Sequence, residues 1–424
     1  MSRRLLVLAY FFPPLSGGGV HRALSFVRHL PEHGWDCTVV CAGGRDYWVH
    51  DASLLAQVPA STEVLRVQGG SALSTWLRLR GGEGRRRAGT FAGLRSLSDW
   101  WLLPDSYAGW AGRAARAVAA RIARGGIDAL LSTSPPDSVH LAAERALARR
   151  RVPWVADFRD PWIGTSFRTP PTAWHRARHV AMERRVLESA DLVLAASRTH
   201  ADALRAGGVS IRALEHLPNG FEPAPRGGAV AGDEHFRIVY TGTLSLMPDA
   251  EALLEAVHDL LAHTPGARRK LRVDIAGPFD LEYEDRAVAL GLRGIVRFTG
   301  PLAHAESRAL QRRADVLVLW KPRGDGYRTM VPGKLYEYLD SGRPVLAVLP
   351  EGDEAAALVR RAGGEVVAPG HRPELARALE TRYMAWSGRG RLPDHRPEWL
   401  DEHARSNLAS RLATRLDSLL GGSS

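Results

Sequence analysis

Short apolar runs recur along this chain, each closed by a turn residue and followed by a stretch with helical spacing. That alternation leaves few folds open. Arg4-Leu5-Leu6-Val7-Leu8-Ala9-Tyr10 is the first run and Gly34-Trp35-Asp36-Cys37-Thr38-Val39-Val40 the second. Between them Val20, Ala23, Leu24, Val27 and Leu30 return at the intervals of an amphipathic helix. Strands buried on both faces read as continuous apolar runs, and helical crossovers between them give a parallel sheet. Residues 127–132, 153–156 and 191–196 continue the series. It pauses at residues 223–233, PAPRGGAVAGD, a low-complexity stretch that reads as a linker. A second series follows at 237–240, 271–276, 296–298, 316–319 and 344–349, and residues 397–420 turn helical. The expectation is an α/β protein of two domains, 1–222 and 237–396. Residues 223–236 link them, and a terminal segment, 397–424, follows. A length of 424 residues lets each domain bury a core.

Open α/β sheets bind ligands beyond the carboxyl ends of their strands. Three stretches bring candidate groups there. Gly17-Gly18-Gly19 lies between the first strand and the first helix, where backbone can approach a ligand. Its spacing is not GxGxxG, so it makes no dinucleotide claim, and a tight turn is the structural alternative. Asp157, Arg159 and Asp160 put three charges at the end of one strand, with loop acids pairing to Arg159 as the alternative. The third stretch is the most informative: residues 326–350, GYRTMVPGKLYEYLDSGRPVLAVLP, read as loop, helix, turn and strand. Pro332 suits a first helical turn. Lys334 and Glu337, three apart, share a helix face, and Leu335 and Leu339 supply the apolar contacts. Free amides at a helix start, next to a lysine, favour an anion. Glu337 instead suits sugar hydroxyls. The pair therefore fits a ligand with both phosphate and hydroxyls, such as a nucleotide sugar; the alternative is an exposed ion pair. Gly242, Gly277 and Gly300 each follow a strand, which points to a ligand cleft at the same sheet edge.

Lys+Arg 57 against Asp+Glu 46 gives a net charge of +11, which suits nucleic acid, anionic lipid or phosphorylated ligands alike. Residues 71–110 concentrate this character. Arg78, Arg80, Arg85, Arg86, Arg87 and Arg95 are interleaved with Trp76, Phe91, Trp100, Trp101, Tyr107 and Trp110. Such a mixture fits a membrane surface, stacking on nucleic acid, or a basic loop ahead of a core helix with its own tryptophans. The only cysteines, Cys37 and Cys41, share one strand and read as small buried residues in a reducing compartment. The 16 histidines show no metal-ligand spacing, so no metal is expected. No apolar run approaches a membrane span, and Met1-Ser2-Arg3-Arg4 leads straight into a strand without a leader's cleavage site. The expectation is a cytoplasmic protein that reaches a membrane, if at all, by attachment to its inner face.

Three stretches resemble the bacterial family 4 (group 1) glycosyltransferases, of GT-B architecture. They are Gly17-Gly18-Gly19-Val20-His21-Arg22, Ser132-Thr133-Ser134-Pro135-Pro136 with Ala156-Asp157-Phe158-Arg159-Asp160-Pro161-Trp162, and Val331-Pro332-Gly333-Lys334-Leu335-Tyr336-Glu337-Tyr338-Leu339. The resemblance implies two Rossmann-like domains facing one another across a cleft, with a last helix crossing back to the first domain. It implies a retaining transfer of sugar from a nucleotide-diphosphate donor, without a cofactor, to a lipid-linked, saccharide or small-molecule acceptor of cell-envelope polysaccharide or glycolipid synthesis. Donor contacts fall on Gly18, Gly19, Gly242, Thr243, Gly277 and the segment Pro332, Gly333, Lys334, Leu335 and Glu337. His21 and Ser134 face the acceptor, and Asp157, Arg159 and Asp160 orient it. Glu337 matches the second glutamate of the family's E-x7-E motif, but Thr329 stands at the first. Thr243-Leu244-Ser245-Leu246-Met247 occupies the place of the family's usual arginine and lysine, which leaves Lys334 to supply that charge. Arg159 replaces the histidine often found after the acceptor-domain strand. Two other readings share these features: a nucleotide-sugar 2-epimerase of the same architecture, and a non-enzymatic basic nucleotide-binding protein.

Overall fold

A computed structural model describes residues 2–43, 50–69, 100–163, 169–224, 234–244, 247, 250–322 and 325–421. Among them the chain divides into two compact units. One runs to Gly220 and resumes at His403; the other is Phe221–Glu402.

The first unit is built on strands β1 (Arg3–Ala9), β2 (Trp35–Ala42), β3 (Glu63–Val67), β4 (Ala129–Ser134), β5 (Trp154–Phe158), β6 (Leu192–Ala195) and β7 (Leu214–His216). They form one parallel sheet in the order β3-β2-β1-β4-β5-β6-β7. Helices α1 (Val20–His29), α2 (Ala108–Ala123), α3 (Ser138–Leu147), α4 (Ala173–Ser189) and α5 (Arg198–Ala206) lie in the connections. Polar caps start two of them: Thr172 Oγ1 accepts from His175 N–H at 3.3 Å, and Ser197 Oγ from His200 N–H at 3.0 Å.

The second unit repeats the plan with β8 (Phe236–Thr241), β9 (Leu271–Ala276), β10 (Val296–Gly300), β11 (Val316–Trp320), β12 (Val345–Val348) and β13 (Glu365–Val367). The strand order is β10-β9-β8-β11-β12-β13, again all parallel. Its helices are α6 (Ala250–His263), α7 (Leu281–Ala289), α8 (His304–Arg313), α9 (Gly333–Asp340), α10 (Glu354–Arg361) and α11 (Arg372–Arg389). Both sheets grow outward in two directions from their first strand, the doubly wound order of Rossmann-like domains. Each reverses direction beside that strand, between β1 and β4 and between β8 and β11.

The last helix, α12 (Arg405–Gly421), belongs to the first unit. Leu408, Ala409, Leu412, Ala413 and Leu416 sit in that unit's core. Asp417 bonds Arg3 and accepts from Trp35 Nε1 at 2.9 Å, fastening the helix beside the start of the sheet.

Of the basic and aromatic stretch, residues 71–99 lie outside the described residues. Tyr107 and Trp110 follow the core-helix reading: Trp110 is fully buried, and both rings meet Tyr10 edge-on at 4.4 and 5.0 Å. Trp100 and Trp101 are instead 49% and 85% exposed. Cys37 and Cys41 are buried and free, and desolvation pushes both thiols up to about 12. No helix of the described residues is long and apolar enough to cross a membrane.

Leu412 is wholly enclosed, so Leu412→Ala leaves a cavity in the first unit. We expect a loss of about 2–5 kcal/mol, measured by denaturant unfolding. A loss near zero would mean that α12 is not integral to that core.

Candidate functional site

The polar groups of the first unit gather where β1, β4 and β5 end. The parallel register sets Thr133 of β4 beside Asp157 of β5. Thr133 Oγ1 donates to Asp157 Oδ2 at 2.7 Å. Arg22, in the first turn of α1, meets the same carboxylate with both edges, Nε to Oδ2 at 2.8 Å and Nη2 to Oδ1 at 2.7 Å. Its other N–H groups donate to the carbonyls of Pro218 and Leu217 at 2.5 and 2.9 Å. Arg22 and Asp157 are 3% and 0% exposed. A buried guanidinium and carboxylate are tolerable only with good partners in place, and here Arg22 makes four hydrogen bonds, two to the carboxylate and two to carbonyls. Asp157 therefore fixes the start of α1 against the ends of β4 and β5, and its oxygens face Arg22 and Thr133 rather than solvent.

The glycine loop is held from a second side. Arg159 Nη1 donates to the carbonyl of Gly19 at 2.6 Å. The alternative pairing of loop acids with Arg159 does not hold for Asp157, which forks with Arg22 instead. Gly19 leaves no room for a side chain, since a Cβ there would lie 2.9 Å from the Phe11 ring. A Cβ on Gly18 would meet nothing within 4 Å, and His21 and Asp160 are half-buried. Ser134 is buried, and its Oγ has no hydrogen-bond partner among the described residues. Arg159 thus meets Gly19 directly, and Asp157 is tied to the start of the same helix through Arg22.

In the second unit β8 and β9 end on glycines whose backbones nearly touch. Gly242 and Gly277 have φ of 129° and 135°, and a Cβ on Gly277 would lie 2.1 Å from the Gly242 carbonyl oxygen. No larger residue fits this approach. Lys334, in the first turn of α9, lays its Nζ over the same place: a Cβ on Gly242 would meet it at 2.2 Å. The ammonium rests on the Tyr240 ring, 4.3 Å from its centroid, and donates to Tyr240 Oη at 2.9 Å. Tyr240 in turn donates to the carbonyl of Thr243 at 2.8 Å. Desolvation pulls the Lys334 pKa from 10.5 down to about 7. Pro332 immediately precedes α9 rather than opening its first turn, and no side chain caps the helix start. Leu335 is fully buried, so it seats the helix in the core.

Glu337 shares the helix but diverges from Lys334. Its Oε1 lies 3.0 Å from His304 Nε2, and its Oε2 accepts from Gln311 at 3.3 Å. Gln311 also donates to Thr241 Oγ1 at 3.0 Å, and the Thr241 N–H donates to Tyr338 Oη at 2.8 Å. Thr329, at the position of the missing motif glutamate, donates to the carbonyl of Gly326 at 3.0 Å. The partners Tyr240, His304 and Gln311 escaped the sequence reading, because only the folded sheets bring them near, and Thr133 stood in a motif stretch without a role of its own. Arg22 did leave a trace: it is a charged residue beside the apolar positions Ala23 and Leu24.

A family model described as glycosyl transferase 4-like domain matches residues 17–220, and one described as glycosyl transferases group 1 matches residues 235–383. The chain belongs to this family of glycosyltransferases. No curated protein matches its sequence. Solved structures match it along its length. The α,α-trehalose 6-phosphate synthase from Burkholderia multivorans has a TM-score of 0.65 and 15% identity, covering 100% of both chains. WaaG, a glycosyltransferase involved in lipopolysaccharide biosynthesis, has a TM-score of 0.61 and 14% identity, covering 97% of this chain and 99% of its own. Anabaena Alr3699/HepE, solved in complex with UDP-glucose, has a TM-score of 0.57 and 15% identity, covering 99% and 97%. At such identities the likeness is one of fold, and the fold is GT-B.

Removing one member of the buried fork strands the other. Asp157→Ala should therefore cost about 3–5 kcal/mol of stability, while Arg22→Leu with Asp157→Leu should cost less than the two single changes together. Additive losses in chemical denaturation would show that the pair is not coupled. Lys334 gives a pH signature. Between pH 7 and 10.5 the unfolded chain holds a proton that the folded protein has lost, so stability relative to Lys334→Met should rise with pH across that window and stay level below it. Urea unfolding of both proteins at the two ends of the window measures this; a constant difference would mean that Nζ stays hydrated.

Proposed function

We propose that the protein is a retaining glycosyltransferase that moves a sugar from a nucleotide-diphosphate donor to an acceptor of cell-envelope polysaccharide or glycolipid synthesis. The donor lies on the second unit and the acceptor on the first. The observation that carries this reading is Lys334 above Gly242, where the uncapped start of α9 meets the ends of β8 and β9. When the glycosidic bond breaks, negative charge grows on the departing diphosphate. A lysine and free helix amides at that point stabilise the charge without rearranging. Bringing an anion to a lysine that desolvation has partly deprotonated also draws a proton back onto Nζ. Glu337, oriented by His304 and Gln311, is the acceptor for ribose hydroxyls.

On the first unit Asp157 acts as a positioning residue through Arg22, and Arg159 and Asp160 orient the acceptor near His21 and Ser134. No metal or cofactor enters the scheme. Support for the donor class comes from the UDP-glucose complex of Alr3699/HepE, and for an envelope acceptor from WaaG's part in lipopolysaccharide biosynthesis. The protein would then act from the cytoplasmic side, as a peripheral protein where the acceptor is lipid-linked.

The test is to incubate the protein with a panel of nucleotide sugars, with and without extracted envelope glycans and glycolipids. A transferase releases nucleoside diphosphate only when acceptor is present. An epimerase converts a nucleotide sugar alone, and a binding protein does neither; either result would sink the reading. Lys334→Ala should weaken donor binding by roughly 10- to 100-fold, the loss of one charge-assisted contact. Unchanged donor affinity would remove Lys334 from the site.

A further inference from the structure

We propose that the amino-terminal end of α4, together with Trp100 and Trp101, is a docking surface for an anionic lipid bilayer. The inference does not depend on the sugar-transfer reading. Trp174, in the first turn of α4, is 60% exposed, beside Trp100 and Trp101 at 49% and 85%. The rings of Trp100 and Trp174 flank His175, with centroids 5.6 and 4.8 Å from the imidazole and both contacts edge-on. His175 is buried and anchored, Nδ1 to Thr172 Oγ1 at 2.8 Å and Nε2 to the carbonyl of Trp100 at 3.3 Å. A fixed base thus presents large indole faces to water. Packing against the unit's own core would remove that area from solvent, and this arrangement does not.

On the helix side of the rings the charge is of one sign. Arg176 and Arg178 are exposed on the same helix end, and no acidic residue occurs from Ala173 to Met182. Among the described residues neither has a carboxylate partner, whereas further along α4 Arg184 pairs with Glu188 and Arg185 with Glu144. The Arg178 guanidinium lies 5.9 Å from the centroid of the Trp174 ring, so cation and indole share one patch. The helix start adds its own positive end. Indoles favour the headgroup boundary of a bilayer, and arginines beside them meet anionic headgroups. A single-stranded nucleic acid asks for a long cationic track with bases stacked on ring faces. Two arginines and edge-packed indoles do not make one.

Co-sedimentation decides the matter. The probes are zwitterionic phosphatidylcholine vesicles and the same vesicles with about 30% phosphatidylglycerol, at low and high salt. Binding should require the anionic lipid and weaken with salt. Trp101→Ser with Trp174→Ser, and separately Arg176→Glu with Arg178→Glu, should each weaken it about tenfold or more with melting unchanged. The charge-matched reversal Arg312→Glu with Arg313→Glu, on the other unit, should leave it within about twofold. Binding by both patch variants at the wild-type level, equal binding to zwitterionic vesicles, or tighter binding to a single-stranded oligonucleotide would each overturn the proposal.

Discussion

In a parallel sheet every strand must finish at the same edge, because each crossover carries the chain back before the next strand begins. This constraint shapes both units. Loops after β1, β4 and β5 are forced into one neighbourhood, and so are those after β8 and β9. Where the strand order reverses, beside β1 and beside β8, neighbouring loops part to opposite faces and leave space. The glycine loop, Asp157 and Arg159 at one edge, and Gly242, Gly277 and Lys334 at the other, are therefore neighbours by topology before any side chain chooses a partner.

The side chains then divide into two kinds. Arg22 and Asp157 form a closed fork in which both carboxylate oxygens are matched by N–H donors, which suits a hinge-free support rather than a reacting group. Lys334 is the opposite case. Its direct contacts are an aromatic face and one phenol oxygen, and the Coulombic pull of Glu337 offsets only part of the desolvation. Such a lysine is held in place yet under-neutralised, the condition in which an incoming anion gains most.

The sequence made the central strands legible because strands covered on both faces carry unbroken apolar runs. The strands it hid are edge strands: β3, β7 and β13, reading EVLRV, LEH and EVV, are short and half-exposed, so no apolar run announces them. The same logic holds at the site. Gly242 and Gly277 stood out because each closes an apolar run, and Lys334 and Glu337 because helical spacing pairs them. That the pair diverges, one toward Tyr240 and the other toward His304, depends on contacts nearly a hundred and some thirty residues away in sequence. Periodicity carries no information about those. Tyr107 and Trp110 looked like Trp100 and Trp101 in composition, yet two line the core and two face water, a distinction set by the packing of α2.

The return of α12 has a consequence for the order in which the protein comes into being. The first unit is made of segments on both sides of the second in sequence, since Arg3 and Trp35 meet Asp417 and Leu412 fills the same core as β1. On a ribosome its sheet emerges early but stays without one covering helix until residues 405–421 have been made. The second unit, Phe221–Glu402, is complete in sequence before that and is free to fold first. The half of the protein that is made first is thus finished last, and for that interval the flank awaiting α12 is apolar surface open to chaperones.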